Sequence, residues 1–127
     1  MTTVLDAGGV SALAQKRSWL QEMRDRGEWP PLVPSVVLTE ALTGDHRRDF
    51  HENRLLRLCE VPAVDEVLAR LSARLRTRAR RRGASAVDAI VIALASTVPD
   101  PVVLTADPAD LRALAARSDA PVRVHSV

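Results

Sequence analysis

Short apolar runs alternate with longer segments of helical periodicity along this chain. The short runs predict five strands, because each is bounded by proline, glycine or polar residues. They lie at 4–5, 32–33, 58–61, 102–104 and 122–124. Between them, apolar residues recur every three or four positions, which predicts helices. These segments are 10–26, 36–42, a polar segment 45–53 that continues towards 55–56, then 64–82, 86–95 and a stretch after Pro108. Strand and helix alternate without repeat or linker, so the pattern predicts an α/β fold with a mostly parallel sheet and helices on both faces.

The predicted helix at 86–95 differs from the others because it is apolar nearly all round. Gly83 ends the preceding helix, and Ser85 is a good N-cap for this one. Asp88 is its only charged residue. Burying a charge is costly unless the charge is paired or bound. Asp88 is therefore the residue in this helix that calls for a functional explanation.

Composition narrows the class of protein. The 127 residues, 46% of them apolar, predict a single domain over 1–127 with one packed core. Trp19, Trp29 and Phe50 are the only aromatic residues, which argues against an aromatic platform for stacking bases. A net charge of +2 permits a nucleic-acid partner without requiring one. The single cysteine fits a reducing compartment, and no apolar run reaches the roughly 20 residues that span a bilayer. We therefore expect a cytoplasmic protein with no membrane partner.

Four acids occupy comparable positions in the predicted fold. Asp6 and Asp107 each follow a strand, Glu40 lies in the helix after the second strand, and Asp88 lies in the first turn of its helix. Right-handed crossovers put such turns along one edge of a parallel sheet. Carboxylates gathered there would repel one another unless a cation joined them, and Mg²⁺ or Mn²⁺ prefers oxygen ligands. No cluster of Cys and His points to zinc. The set predicts metal-assisted hydrolysis of a phosphodiester.

Each acid also has a structural explanation. Asp6 and Asp107 could be helix N-caps, and Ser85 with Asp88 matches a capping box. The same spacing joins Asp107 to Asp110, while Glu40 could simply face water. Capping does not explain why the one charge of an apolar helix points to the same edge as three other acids.

Four segments, in order, resemble PIN-domain ribonucleases and within them the VapC-type toxins of bacterial toxin–antitoxin pairs. They are 4–7, 36–40, 85–93 and 103–111, and the resemblance covers essentially the whole chain. It implies a three-layer α/β/α sandwich that cleaves single-stranded RNA with Mg²⁺ or Mn²⁺, forms a homodimer and is inhibited by a cognate antitoxin. It also implies that Asp6, Glu40 and Asp88 are the core catalytic acids and Asp107 a fourth, with Asp110 a weaker candidate. Metal ligation would fall to Asp6, Asp88 and Asp107.

One departure from the family is Gly8, which stands where a Ser or Thr is common. Thr105 is the residue that could supply the missing hydroxyl. It is also a candidate substrate contact, together with Arg80, Arg81 and Arg82 at the end of an arginine-rich helix. The structural explanation of those arginines is a solvated helix face.

Three further residues have simple explanations, and two other functions stay open. His46 and His51 fit a surface segment better than a metal pair, and Cys59 fits a buried strand. A binding module without turnover is favoured slightly by Gly8. A phosphoacceptor receiver domain has a similar size and acidic pocket, but that family needs a lysine after its last strand and the only lysine here is Lys16.

Overall fold

The computed structural model describes residues 1–80 and 83–127. Across those residues it has three strands and seven α-helices, and six of the helices lie between the first and the second strand in sequence. The strands are β1 (Thr2–Leu5), β2 (Pro101–Thr105) and β3 (Arg123–Ser126). The helices are α1 (Ala7–Gln15), α2 (Arg17–Asp25), α3 (Leu38–Ala41), α4 (Phe50–Leu56), α5 (Glu66–Ala79), α6 (Ala86–Ala95) and α7 (Pro108–Ala115).

The sheet is parallel, in the order β1-β2-β3. Single bridges extend it beyond β1, first at Leu32 and then at Glu60. The strands predicted at 32–33 and 58–61 are therefore reduced to one bridging residue each. Prolines flank both positions, at 30, 31, 34 and 62, and a proline has no N–H to give to a sheet.

Helices cover both faces of this sheet. Helix α1 packs on β1 and β2 from one side, and α3 and α4 pack on α1. Helix α6 packs on β1 and β2, and α7 on β3, with α5 lying against α6 and α7. The predicted three-layer α/β/α sandwich with a parallel central sheet is confirmed, and its architecture is compatible with a PIN-like fold.

The core is built from Leu, Val, Ile and Ala. Helix α6 is buried on several sides, as predicted, with Val91, Ile92 and Ala95 completely enclosed. In α5 the buried positions are Leu68, Ser72 and Leu75, whereas Val67 is 77% exposed. The apolar stripe predicted for α5 is thus narrower than its periodicity indicated.

Several helix boundaries differ from the prediction. The single helical region expected over 10–26 divides at Lys16, whose backbone (φ −124°, ψ 82°) is not helical. Ser35 opens a 3-10 turn and does not cap a helix with its side chain. Helix α5 begins at Glu66, since the Asp65 side chain accepts from the Leu68 N–H. In the described part of the chain, no helix has both the length and the apolar character needed to cross a bilayer.

Candidate active site

The carboxyl ends of β1 and β2 meet at the point where the strand order reverses. Numbered by their order in the chain, the segments of the sheet are β1 (1), the bridge at Leu32 (2), the bridge at Glu60 (3), β2 (4) and β3 (5). Their spatial order across the sheet is 3-2-1-4-5. Open parallel sheets bind ligands in the crevice outside such a reversal. Asp6 follows β1 at this point, and Thr105 is the last residue of β2.

Asp6 is held on both carboxylate oxygens. The Gly9 N–H donates to Oδ1 at 2.8 Å, which makes Asp6 the N-cap of α1. The Thr105 hydroxyl donates to Oδ2 at 2.5 Å. Thr105 is completely buried, and its hydroxyl also accepts from the Asp107 N–H at 3.1 Å. Thr105 therefore supplies the hydroxyl that Gly8 lacks, and it ties the end of β1 to the loop after β2. Its burial leaves it no access to a substrate.

Asp88 is the second acid at this edge. Its Oδ2 accepts from the Ser85 N–H, and its own N–H donates to the Ser85 hydroxyl, both at 3.0 Å. The predicted capping box is therefore formed. Burial is the main cause that raises the pKa of Asp6, the bonds from Thr105 and Gly9 oppose the rise, and the charge of Asp88 adds to it. Asp6 and Asp88, which are 82 positions apart in sequence, therefore lie within electrostatic range.

The two glycines after Asp6 allow the start of α1 to lie against the end of β2. A Cβ atom on Gly9 would lie 2.4 Å from the Leu104 carbonyl oxygen, and one on Gly8 would lie 2.8 Å from the Ala106 Cβ. Neither distance leaves room for a side chain. Gly8 is thus required by packing, and the site takes its hydroxyl from the neighbouring strand.

The other two predicted acids are more open. Asp107 is exposed and its side chain makes no capping bond to α7, so the explanation of Asp107 as a plain N-cap is wrong. Glu40 is exposed on α3, which packs against α1. Asp110 faces the turn before α6, since a Cβ on Gly83 would lie 3.6 Å from its Oδ2. Within residues 1–80 and 83–127, no group of three or more Asp, Glu, His and Cys side chains is arranged to hold a metal ion.

Asp6 and Asp88 nevertheless match one common way of binding Mg²⁺. This ion keeps several waters and is often held by one or two carboxylates together with substrate phosphates. The Asp6 oxygens each accept one hydrogen bond, and a carboxylate oxygen can accept two. Mutual repulsion of the two acids is also the electrostatic condition that a cation relieves. These two carboxylates therefore fit a hard cation that keeps most of its water ligands better than one whose ligands all come from the protein.

Of the three arginines predicted to contact the substrate, the structure describes one, Arg80. Arg80 is exposed and ends α5 with a left-handed backbone, φ 47°. Arg81 and Arg82 lie outside the described residues. Along α5, Arg70 pairs with Glu66 at 3.1 Å and Arg78 with Asp119 at 2.8 Å. Part of this basic face is thus engaged in surface ion pairs.

The hydrogen bonds of Asp49 were not predicted from the sequence. Asp49 is buried and accepts from the Thr43 N–H, the Thr43 hydroxyl and the Gly44 N–H, and these bonds lower its pKa. This clasp joins the end of α3 to the start of α4. The sequence signal was the spacing of Thr43-Gly44 and Asp49, which is too common to stand out.

The remaining candidates have structural explanations. His46 and His51 are exposed, and His51 packs edge-on against Phe50, with ring centroids 5.3 Å apart. Cys59 is half-buried in a loop, not in the strand that was predicted, and burial raises its thiol pKa to about 12. Neither feature adds to the site at Asp6.

Comparisons with known proteins give a likeness of fold. No family model matches the chain, and no curated protein matches it. VapBC2 from Rickettsia felis, bound to a promoter DNA fragment, matches with a TM-score of 0.71 and 13% identity over 100% of this chain and 99% of that chain. DNA-bound VapBC from Salmonella typhimurium matches with a TM-score of 0.68 and 16% identity over 99% and 98%. FitAcB from Neisseria gonorrhoeae matches with a TM-score of 0.62 and 20% identity over 95% and 96%.

These findings correct the family prediction. The resemblance in sequence identified the chain as a PIN-domain ribonuclease and a VapC-type toxin, yet no family model matches it and the structural neighbours are at most 20% identical. The neighbours are chains of VapBC and FitAB complexes, and the likeness does not identify which component of such a complex this chain corresponds to. The assignment to that family and toxin type does not stand. What this protein shares with the matched chains is the fold.

Proposed function

We propose that this protein is a divalent-metal-dependent endoribonuclease that cleaves phosphodiesters of single-stranded RNA. The observation that carries the proposal is the pair of acids Asp6 and Asp88, which lie within electrostatic range of each other at the strand-order reversal. Ligand sites of open parallel sheets occur at such a reversal. Asp107, which follows β2 at this edge, is exposed and therefore accessible to a substrate.

The proposed ion is Mg²⁺, with Mn²⁺ as the alternative, held by Asp6 and Asp88 with Asp107 as a further ligand. When bound, such an ion polarises the phosphate and lowers the pKa of a water. The residues of the chain fix the orientation of its ligands. Gly9 and Thr105 hold Asp6, and the Ser85 N–H holds Asp88. Glu40 is proposed to take part in catalysis from α3, and Arg80 to bind the RNA backbone.

The biological setting that we propose is a toxin–antitoxin system. In this setting the protein is the nuclease, forms a homodimer and is inhibited by a separate antitoxin protein. The support is that chains of VapBC and FitAB complexes share this fold over 94–99% of their length. Expression of the protein alone should then arrest growth, and co-expression of its proposed antitoxin should restore growth.

The first prediction concerns the two central acids. Asp6→Asn and Asp88→Asn should each lower Mg²⁺-dependent cleavage of a single-stranded RNA by more than about 100-fold. Losing a mere partner of a metal ligand costs roughly 10–100-fold, and these residues are proposed to be ligands. The measurement is the initial rate of cleavage of an end-labelled RNA with and without Mg²⁺.

Asp25→Asn is the matched control, since Asp25 is an exposed acid on α2 that bonds only to Gln21. It should cleave at the wild-type rate, and circular dichroism should show all three variants folded. Wild-type rates in a folded Asp6→Asn protein would disprove the assignment of the site.

A binding module without turnover is the second candidate function. It is favoured by the absence of any three-residue metal group within the described residues and by the use of Asp88 in a capping box. Such a module would bind RNA or a protein partner equally well with Mg²⁺ or with EDTA, and it would release no RNA fragments.

The receiver-domain alternative does not fit the observed topology. Receiver domains order their strands 2-1-3-4-5, whereas the extended sheet here has the order 3-2-1-4-5. The one lysine, Lys16, lies between α1 and α2 and does not follow the last strand. Incubation with acetyl phosphate should therefore leave the mass of the protein unchanged.

A further inference from the structure

A cavity lies between helix α2 and the edge strand β3, and none of the acids of the candidate active site lines it. Its volume is about 350 Å³, which is within the range of small-molecule sites. The cavity has apolar walls from α2 and β2 and a rim of charged residues. Its lining includes Trp19, Met23, Leu104, Glu22, Glu28 and Arg123.

Glu28 is the unusual member of this lining because it is a carboxylate with only 8% of its surface exposed. Its one side-chain partner within the described residues is the Thr3 hydroxyl, which donates to Oε2 over a long 3.5 Å. Among the described residues, every side-chain nitrogen or oxygen that is fully enclosed has a hydrogen-bond partner. Oε1 of Glu28 has no hydrogen-bond partner there, so it is not fully enclosed and faces the cavity that Glu28 lines.

Both arginines that line the cavity are engaged elsewhere. Arg26 pairs with Glu22 at 3.6 Å, and Arg123 pairs with Asp100 at 2.9 Å. The Met1 amino group and His125 also border the cavity, but neither is within ion-pair distance of Glu28 in the described chain. A buried carboxylate without a cation is unfavourable. The charge of Glu28 is therefore available to a ligand.

We propose that this cavity binds a small organic cation. An ammonium or guanidinium head would lie at Glu28, where a charge-assisted hydrogen bond is stronger than a neutral one. An apolar body would pack against Trp19, Met23 and Leu104. This site is separate from the acids at the sheet edge, so it is independent of the proposed ribonuclease activity.

The test uses a series of six-carbon ligands that differ only in the head group. Hexylammonium and hexylguanidinium carry the predicted cation, whereas hexanol is neutral and hexanoate is an anion. Binding is measured by isothermal titration calorimetry and by the shift in Tm of the full chain. The cations should bind at least about tenfold more tightly than hexanol, and hexanoate should not bind. Equal binding of hexanol or hexanoate would overturn the proposal.

Two isosteric variants locate the charge. Glu28→Gln can still accept from Thr3 but has no charge, so it should lose the preference for the cations. Glu66→Gln is the control, since Glu66 is exposed, is paired with Arg70 on α5 and lies outside the cavity lining, and it should bind within about twofold of the wild type. Retention of cation selectivity by a folded Glu28→Gln protein would contradict the proposal. If Glu28→Gln does not fold, the ligand series on the wild type still decides.

A third arm identifies the source of the cation. A blocked Ala-Arg-Ala tripeptide presents the same guanidinium as a side chain. Glu28-dependent binding of the six-carbon cations but not of the tripeptide would support a free small molecule, as proposed. Binding of the tripeptide alone would overturn that source in favour of an arginine supplied by a polypeptide.

Discussion

At the scale of single residues, Asp6 combines two roles that appeared to be alternatives in the sequence. It caps α1 through the Gly9 N–H, and it also faces the charge of Asp88. Asp88 repeats this combination, because the bond to Ser85 that forms the capping box also fixes its carboxylate. Capping therefore holds the acids in place and does not compete with the proposed site.

Thr105 is a positioning residue, since it acts through Asp6 and Asp107. Thr105→Val should lower cleavage and the affinity for Mg²⁺ by roughly 10–100-fold, because Asp6 loses the partner that orients it. Thr105→Ser keeps the hydroxyl and should restore both. The affinity is measured by calorimetry without RNA. Equal Mg²⁺ affinity in the Val and Ser variants would show that the hydroxyl only stabilises the fold.

The burial of Asp6 has a consequence for stability in metal-free protein. Burial, with a contribution from Asp88, raises the pKa of Asp6 above 3.8, so the folded state binds this proton more tightly than the unfolded state. The contribution of Asp6 to stability is therefore full below pH 3.8 and falls as the pH rises through the folded pKa. At neutral pH in metal-free buffer, Asp6→Asn should therefore raise Tm, because it removes the charge that burial disfavours.

The effect of Mg²⁺ on Tm tests whether Asp6 binds the metal ion. Millimolar Mg²⁺ should raise the Tm of the wild type, because a ligand that binds only the folded state stabilises it. The Asp6→Asn protein should respond much less. A wild type whose Tm does not change with Mg²⁺, or a variant that responds equally, would argue against metal binding at Asp6.

At the scale of elements, the junction between β1 and α1 depends on two glycines for a steric reason. Gly9 lies against the Leu104 carbonyl and Gly8 against Ala106, so the start of the helix and the end of β2 approach closely. This contact explains why a residue without a side chain stands at position 8. The hydroxyl comes from Thr105, where there is room for it and a partner on each side.

Substitutions at this junction should be poorly tolerated. Gly9→Ala should lower the free energy of unfolding by at least the roughly 1–3 kcal/mol typical of overpacking, because its Cβ would meet backbone. Gly8→Ser should also destabilise and should not raise activity. Ser11→Ala, at an exposed position of the same helix, should change stability by less than about 0.5 kcal/mol. Urea unfolding measures all three, and a neutral Gly9→Ala would refute the close approach.

At the scale of the whole molecule, the fold brings distant acids to one edge while the net charge stays near +2. So small an excess would give weak long-range attraction for the proposed RNA substrate, so under this proposal local arginines supply most phosphate contacts. Arg80 is exposed at the end of α5 and has no ion pair within the described residues. Arg70 is already paired with Glu66.

Because Arg70 is held in an ion pair and Arg80 is not paired within the described residues, the two arginines should differ in RNA binding. Arg80→Gln should weaken binding of a single-stranded RNA and reduce the slope of log K against log salt by about one. Arg70→Gln should leave the slope unchanged, because that arginine is held by Glu66. Fluorescence anisotropy at several salt concentrations, with Mg²⁺ replaced by EDTA, measures both. Equal slopes for the two variants would mean that Arg80 does not contact phosphate.

The sequence by itself determined the order of elements, the buried helix α6 and the α/β/α class. These follow from periodicity and from local breakers such as Gly83, which act over a few residues. It did not determine the reduction of the strands at Leu32 and Glu60 to bridges or the break at Lys16, since these depend on partners distant in sequence. The resemblance to a known family indicated the right fold, but the family assignment itself was wrong.

Only the tertiary structure decided which polar residues meet. It brought Asp88 within electrostatic range of Asp6, gave Thr105 a buried positioning role in place of a substrate contact, and left Glu40 exposed. It also buried Glu28 beside a cavity that no sequence motif predicts. The physical reason is that periodicity fixes which face of an element is buried, whereas contacts between side chains depend on how the elements pack across the sheet.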